Sequence, residues 1–359
     1  MANSRKFFAL LDLDFDFDAC STGYLRGTVP DRYPYGLENL PEGWELTFSP
    51  TYRGPRIFWA LRRFFVKVSG FDLAASLFRW RQMRAADVVY AHCEADYLAA
   101  ALLLRVLRRR RPFLVGHTIW MFAEWKDMSM PKKLLIKWAM KRVDLFIYNA
   151  EPNRLLGAEI YPDGTHVFVP FGVSDTFHSA NSCTDATSSI PLILAVGNDR
   201  SRDWDLLADA LNGLPIAVDI RLATRRDVDD IVGAVVRETA DVRELCDLYR
   251  TAACLVVASK PNSHAGGITC ILEGAAMGVP IVATDTGGVR DYLDAQYIEL
   301  VAAGDVAALR QGIVNILAAP VSARERAART RDFAAQRYTN TGYWKRVTKL
   351  IDGEVAQRS

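Results

Sequence analysis

Three kinds of residue in one stretch of the chain could do chemistry together. Between Cys254 and Tyr292 the sequence reads CLVVASKPNSHAGGITCILEGAAMGVPIVATDTGGVRDY. Gly266 and Gly267 let a backbone come close to a ligand, and the amides of Ile268 and Thr269 open a helix. Free N–H groups and the positive end of a helix dipole attract anions, phosphate above all. Glu273 lies about one turn further along. A carboxylate there suits the paired hydroxyls of a ribose better than a phosphate. Phosphate donors beside a hydroxyl acceptor point to a nucleotide.

The elements that must position these groups follow from pattern. CLVVAS is a short apolar run of strand length, ITCILEGAAMG has helical spacing closed by Gly278 and Pro280, and PIVAT is a second buried strand before the loop DTGG with Gly287 and Gly288. Strand, loop, helix, strand and loop make the unit of a helix-covered parallel sheet. Such sheets bind ligands beyond the carboxyl ends of their strands, where both glycine loops fall. An earlier strand, PLILAVG, leads into Asn198, Arg200 and Arg202 and then a helix start near Trp204. Arginine can clamp phosphate with two parallel hydrogen bonds. A helix-start arginine paired with Asp199 or Asp203 is the plainer alternative.

The run GGITCILEGAAMGVPIVATDTGG resembles the donor-nucleotide signature of family 4 (group 1) glycosyltransferases of the GT-B fold. That resemblance implies two Rossmann-like domains, each with a parallel sheet, facing a cleft. It also implies a nucleotide-diphosphate sugar as donor, retention of anomeric configuration, and no cofactor or bound metal. Glu273 matches the second Glu of the signature. The first falls at Ala265, with His264 beside it. Asn198 takes the place of a family Arg, Arg202 falls close to that of a Lys, and the glycine pair usual after the first strand is reduced to Gly23. His117, at the end of PFLVGH, resembles the histidine placed over the donor sugar. A packed loop histidine is the alternative, and His92 shares the ambiguity. The expected roles are therefore His117 and Arg202 in catalysis, with Asn198, Arg200, Arg202, Gly266, Gly267, Ile268, Thr269, Glu273, Gly287 and Gly288 holding the donor.

At 359 residues the chain suits two domains. The expected division is 1–177 as the acceptor side, 178–190 (most of ANSCTDATSSIP, which spans 180–191) as linker and 191–332 as the donor side, with a last helix near 333–359 returning to the first domain. Six scattered cysteines without a CxxC pair argue against a disulfide framework or zinc cluster. The start MANSRKFFALLDLDFD lacks a cleavage pattern for a signal peptide, and no apolar run reaches the roughly 20 residues of a membrane span. The reading is cytoplasmic. The acids Asp12, Asp14, Asp16 and Asp18 after the first strand invite a metal or phosphatase role. No downstream partner supports one, and a solvated strand end or an acceptor-facing loop is preferred.

Residues 53–142 carry 19 Lys and Arg against 6 acids, although the whole chain is only +2. RRFFVKVSGFDLAASLFRWRQMR interleaves bases with aromatics, and MPKKLLIKWAMKR makes a short amphipathic helix. Contact with an anionic membrane surface stands beside a solvated helix face, and nucleic acid ranks below both. The function expected is transfer of a hexose from a nucleotide-diphosphate donor to an acceptor hydroxyl, in cell-surface glycan or glycolipid synthesis. A non-catalytic nucleotide-sugar-binding subunit and a nucleotide-sugar epimerase are the alternatives.

Overall fold

The computed structural model describes residues 4–13, 15–48, 51–109, 111–179, 190–228, 230–237 and 241–357. Among these, twelve strands form two six-stranded sheets in which every pairing is parallel. The first sheet holds β1 (Arg5–Leu10), β2 (Trp44–Thr47), β3 (Val88–Ala91), β4 (Phe113–Thr118), β5 (Leu145–Tyr148) and β6 (His166–Phe168), in the order β2-β1-β3-β4-β5-β6. The second holds β7 (Leu192–Val196), β8 (Asp219–Ala223), β9 (Val235–Arg237), β10 (Cys254–Val257), β11 (Ile281–Asp285) and β12 (Glu299–Ala302), in the order β12-β11-β10-β7-β8-β9. Continuous apolar strands are what a parallel sheet covered on both faces requires. β3, β5 and β10 are buried along their whole length.

Each sheet reverses its winding once, and that is where such folds bind ligands. In the first the reversal lies between β1 and β3, in the second between β7 and β10. The loops leaving β7 and β10 carry Asn198 to Arg202 and Lys260 to Gly267. The topology thus converges the two stretches that the sequence marks out.

The chain divides into two compact units at positions other than those expected. One comprises Met1–Cys20, Leu37–Val169 and Tyr343–Ser359; the other comprises Ser21–Gly36 and Pro170–Gly342. The return to the first unit comes at Tyr343, ten residues later than expected. The preceding helix Pro320–Arg337 packs instead on Ile268–Met277 and Val306–Ala318 of the second unit. The last helix, Asn340–Gln357, buries Trp344 edge-on to Phe7 and Tyr90 at 5.7 and 5.2 Å between ring centres. Residues 21–36 belong to the second unit. There the Val242 amide donates to the Thr28 carbonyl at 3.0 Å, and Asn340 Nδ2 donates to both Asp31 carboxylate oxygens at 3.1 Å. Of the expected linker, 180–189 lies outside the described residues, while Asp175–Ser179 forms a short helix.

The acids after β1 are engaged locally. Asp16 Oδ1 accepts the Ala19 amide at 2.8 Å at the start of helix Phe17–Leu25. Asp12 and Asp72 flank Arg62, and Arg79 donates to the Leu11 and Asp12 carbonyls. Asp14 lies outside the described residues. Arg62 and Asp72 are buried in this cluster, whereas Asp12 is exposed.

Candidate functional site

The site is assembled in the second unit, around one arginine. Arg202 closes the loop after β7, just before Asp203 caps helix Trp204–Asn212 by accepting the Leu206 amide at 3.3 Å. Three backbone links tie this loop to the end of β10. Residues Arg202 and Ser259 form a bridge, the Asp203 amide donates to Ala258, and the Lys260 amide donates to Ser201. Arg202 is buried, only 6% exposed as a residue. It donates to the Val196 carbonyl, and its Nε has no partner among the described residues.

Two glycines make room for it. A methyl group built on Gly197 would stand 2.5 Å from Arg202 Nε, and one on Gly267 would stand 2.7 Å from an Arg202 terminal nitrogen. Both also have left-handed backbones, at φ 137° and 92°, which side chains rarely adopt. Gly267 is moreover the residue before helix Ile268–Met277, and no side chain caps that helix. The cation and the helix start are therefore brought together.

The amides divide differently from the sequence expectation. Ile268 donates to Ala265 at 3.0 Å and Gly266 donates to Asn262 Oδ1 at 2.8 Å, so neither is available. Among the described residues the amides of Gly267 and Thr269 have no acceptor. Ala265 is buried and itself left-handed at φ 53°, which turns its carbonyl back to Ile268. That turn explains why the sequence places the anion site one residue off: the helix is entered through a tight local hydrogen bond.

Glu273 follows on the same helix, half-buried, and accepts from the Tyr249 hydroxyl at 2.8 Å. Burial raises its pKa to about 7, against the pull of Tyr249 and Arg202, while Asp31 adds a small upward push. Burial likewise lifts the neighbouring Cys270 thiol to about 11, despite Arg202. The carboxyl thus changes charge near neutral pH, in reach of a buried cation.

Asp199, Ser201 and His264 form a further group at the same loops. Burial opposes the Asp199 charge, but hydrogen bonds from His264 and Ser201 hold its pKa below the usual carboxylate range. Ser201 Oγ donates to Asp199, and His264 Nε2 lies 3.8 Å from the same oxygen. Sequence reasoning missed this group, because position 264 draws interest only once it is seen to face the β7 loop. It missed Asp31 for the same reason, because Asp31 and Glu273 are 242 positions apart in the chain.

Four further expected residues lie on the turns after β7 and β11. Asn198 braces the loop after β8, its Oδ1 accepting the Arg225 amide at 2.6 Å and the Thr224 hydroxyl at 3.2 Å. Its short amide reaches a neighbouring loop where an arginine would reach past it. Arg200 is exposed on the same turn. Gly287 and Gly288 shape the turn after β11, where Asp285 accepts the Gly287 amide and pairs with Arg290.

His117, expected over the donor sugar or packed in its loop, lies near the end of β4. It is fully buried in the first unit, with Nδ1 3.0 Å from the Tyr90 hydroxyl and 3.2 Å from His92 Nδ1. Tyr343 from the last helix completes the cluster, 3.3 Å from Tyr90. Burial drives the His117 pKa down to about 3 and that of His92 well below its ordinary value, so both rings are neutral. The physical reason is the last helix, whose aromatic face covers this part of the sheet.

Residues 191–319 match the family of glycosyl transferases group 1. That segment runs from the start of β7 through β12 and includes Arg202, Gly267 and Glu273. No curated protein sequence matches the chain significantly. Among solved structures, sucrose-phosphate synthase from Thermosynechococcus elongatus is similar at a TM-score of 0.74 and 15% identity, over 98% of this chain and 100% of that one. The HepE protein of Anabaena, solved in complex with UDP and glucose, gives 0.68 and 13%, over 97% and 100%. An α,α-trehalose-phosphate synthase (UDP-forming) from Burkholderia vietnamiensis gives 0.64 and 14%, over 86% and 78%. The fold is that of GT-B glycosyltransferases, and within the second unit residues 191–319 are similar to group 1 glycosyl transferases.

Proposed function

We propose that this chain moves a sugar from a nucleotide-diphosphate donor to an acceptor hydroxyl. The observation that carries the reading is the Arg202 guanidinium lodged between Gly197 and Gly267 at an uncapped helix start, with Glu273 one turn on. In this reading the Gly267 and Thr269 amides and Arg202 hold the diphosphate, and Glu273 accepts from the ribose hydroxyls. The bond from the anomeric carbon to the diphosphate oxygen breaks, and the acceptor oxygen bonds to that carbon and gives its proton to the departing diphosphate. Negative charge grows on the departing diphosphate, where fixed cations and amides stabilise it most. Arg200 is well placed on the same turn to add charge from the solvent side. Retention of configuration and independence of metal, on the strength of family resemblance, and a glycan or lipid-linked acceptor, on the strength of the basic first domain, complete the proposal. His117 is assigned a positioning role within its aromatic cluster.

A second reading, donor binding without transfer, is favoured by one observation: the buried, left-handed Ala265 stands where the family places a carboxylate. One experiment addresses both. Purified chain is unfolded thermally against UDP-, GDP- and ADP-sugars, and the panel is repeated on Glu273→Ala. A ligand that binds only the folded state raises the midpoint by mass action. A shift with one donor, absent in the variant, supports the site; slow hydrolysis of that donor supports transfer over binding. No shift with any donor sinks the assignment.

A further inference from the structure

Helix Arg56–Ser69 in the first unit has no buried residue. At about 100° per residue its side chains sort into three faces. Phe58 and Arg62 turn to the body of the unit, where Phe58 meets Tyr52 and Phe78, and Arg62 pairs with Asp72 and Asp12. Ile57, Leu61, Phe64, Phe65 and Val68 form a second face pointing outward, each between 53% and 69% exposed. Such a stripe would ordinarily be a core face; here it meets solvent. Arg56, Arg63 and Lys67 run along the third face, and no acid occurs between Arg53 and Phe71.

The basic face borders a cavity. Thr51, Tyr52, Arg53, Arg56, Trp59 and Arg63 line a space of about 580 Å³. Asp16 approaches Arg53 at 3.4 Å, and among the described residues neither Arg56 nor Arg63 pairs with a carboxylate. The neighbouring helix Met130–Met140 repeats the arrangement. Met130, Leu134 and Trp138 are exposed, its charged residues are all lysines, and Lys132 comes within 3.0 Å of a methyl built on Gly70.

We propose that helix Arg56–Ser69 docks on an anionic lipid bilayer, with its apolar stripe among the acyl chains and the arginine-lined cavity taking a lipid phosphate headgroup. Charge selects this occupant. A second copy of the chain would set arginine and lysine against arginine and lysine, whereas anionic headgroups complement both helices. Interfacial helices combine such a stripe with flanking cations, and binding needs both. The proposal is independent of the donor site and of the transfer reaction.

The test is co-sedimentation of the full chain with vesicles of phosphatidylcholine alone and of phosphatidylcholine mixed with phosphatidylglycerol. Binding is expected to the mixed vesicles only, and to weaken as salt rises from about 0.1 to about 0.5 M. Phe64→Ser with Phe65→Ser is expected to reduce it about tenfold or more, and Arg56→Gln with Arg63→Gln to remove the preference for anionic lipid. Thermal unfolding of both variants should match the parent, since neither changes a buried side chain. Equal binding by parent and variants, or none by the parent, overturns the proposal. So does a parent that is dimeric without vesicles and becomes monomeric on Phe64→Ser with Phe65→Ser.

Discussion

Two residues set the chemistry of the candidate site, and each makes a prediction. Glu273 has a folded pKa of about 7, above its ordinary 4.5. Between those values the folded chain holds a proton that the unfolded chain has lost. The stability this group contributes is full below about 4.5 and declines as pH rises towards 7. Chemical denaturation across that window should show the parent losing stability relative to Glu273→Gln. Donor binding should have the opposite sign, because only the ionised carboxylate accepts two hydroxyls. Titration of the donor that stabilises the chain should give affinity rising through pH 7, and a flat profile for Glu273→Gln. Gly267 is the other residue. Gly267→Ala would press a methyl against Arg202 in a backbone region alien to alanine, at a cost of about 1–3 kcal/mol. Denaturant midpoints and donor affinity should both fall.

At the scale of elements, the site depends on how the loops leaving neighbouring strands are tied. Thr284 at the end of β11 is buried, accepts the Ser259 amide at 2.8 Å and donates to the Ser259 carbonyl at 3.0 Å. Ser259 in turn bridges to Arg202. Thr284→Val keeps the volume but strands a buried amide, a loss of about 1–3 kcal/mol. Urea denaturation should record it, and donor affinity should weaken although residue 284 has no proposed ligand contact. The same scale shows what pattern alone could read. Strand–helix–strand order from Cys254 to Asp285 was plain because apolar runs and glycine stops are local signals. The use of the Ile268 amide by Ala265 was not, because a left-handed alanine leaves no mark in composition.

At the scale of the whole molecule, the chain starts and ends in the same unit. Trp344 is fully buried against Phe7 and Tyr90, so Trp344→Ala should cost about 3–5 kcal/mol. Ending the chain at Gly342 should be more severe. It uncovers Phe7, Tyr90 and His117, and the first unit is expected to lose protection from proteolysis while β7 to β12 retain theirs. Limited proteolysis followed by mass measurement distinguishes this from loss of both units. No single helix among the described residues is long and apolar enough to cross a membrane.

The sequence by itself determined the alternation of strand and helix, the parallel class of both sheets, and the loop and helix that hold Gly267 and Glu273. These are read from periodicity, glycine stops and a motif contained in about forty consecutive residues. Only the tertiary structure decided which distant groups meet them. Burial raises the pKa of Glu273 against the pull of Tyr249 and Arg202, His264 and Ser201 hold Asp199, and Asn198 braces a loop in place of reaching an anion. It also enclosed His117 beneath the last helix and turned the apolar stripe of Arg56–Ser69 outward. Each of these outcomes depends on contacts between residues far apart in the chain or on which helix face finds a neighbour. Periodicity names a face, but only packing says what covers it.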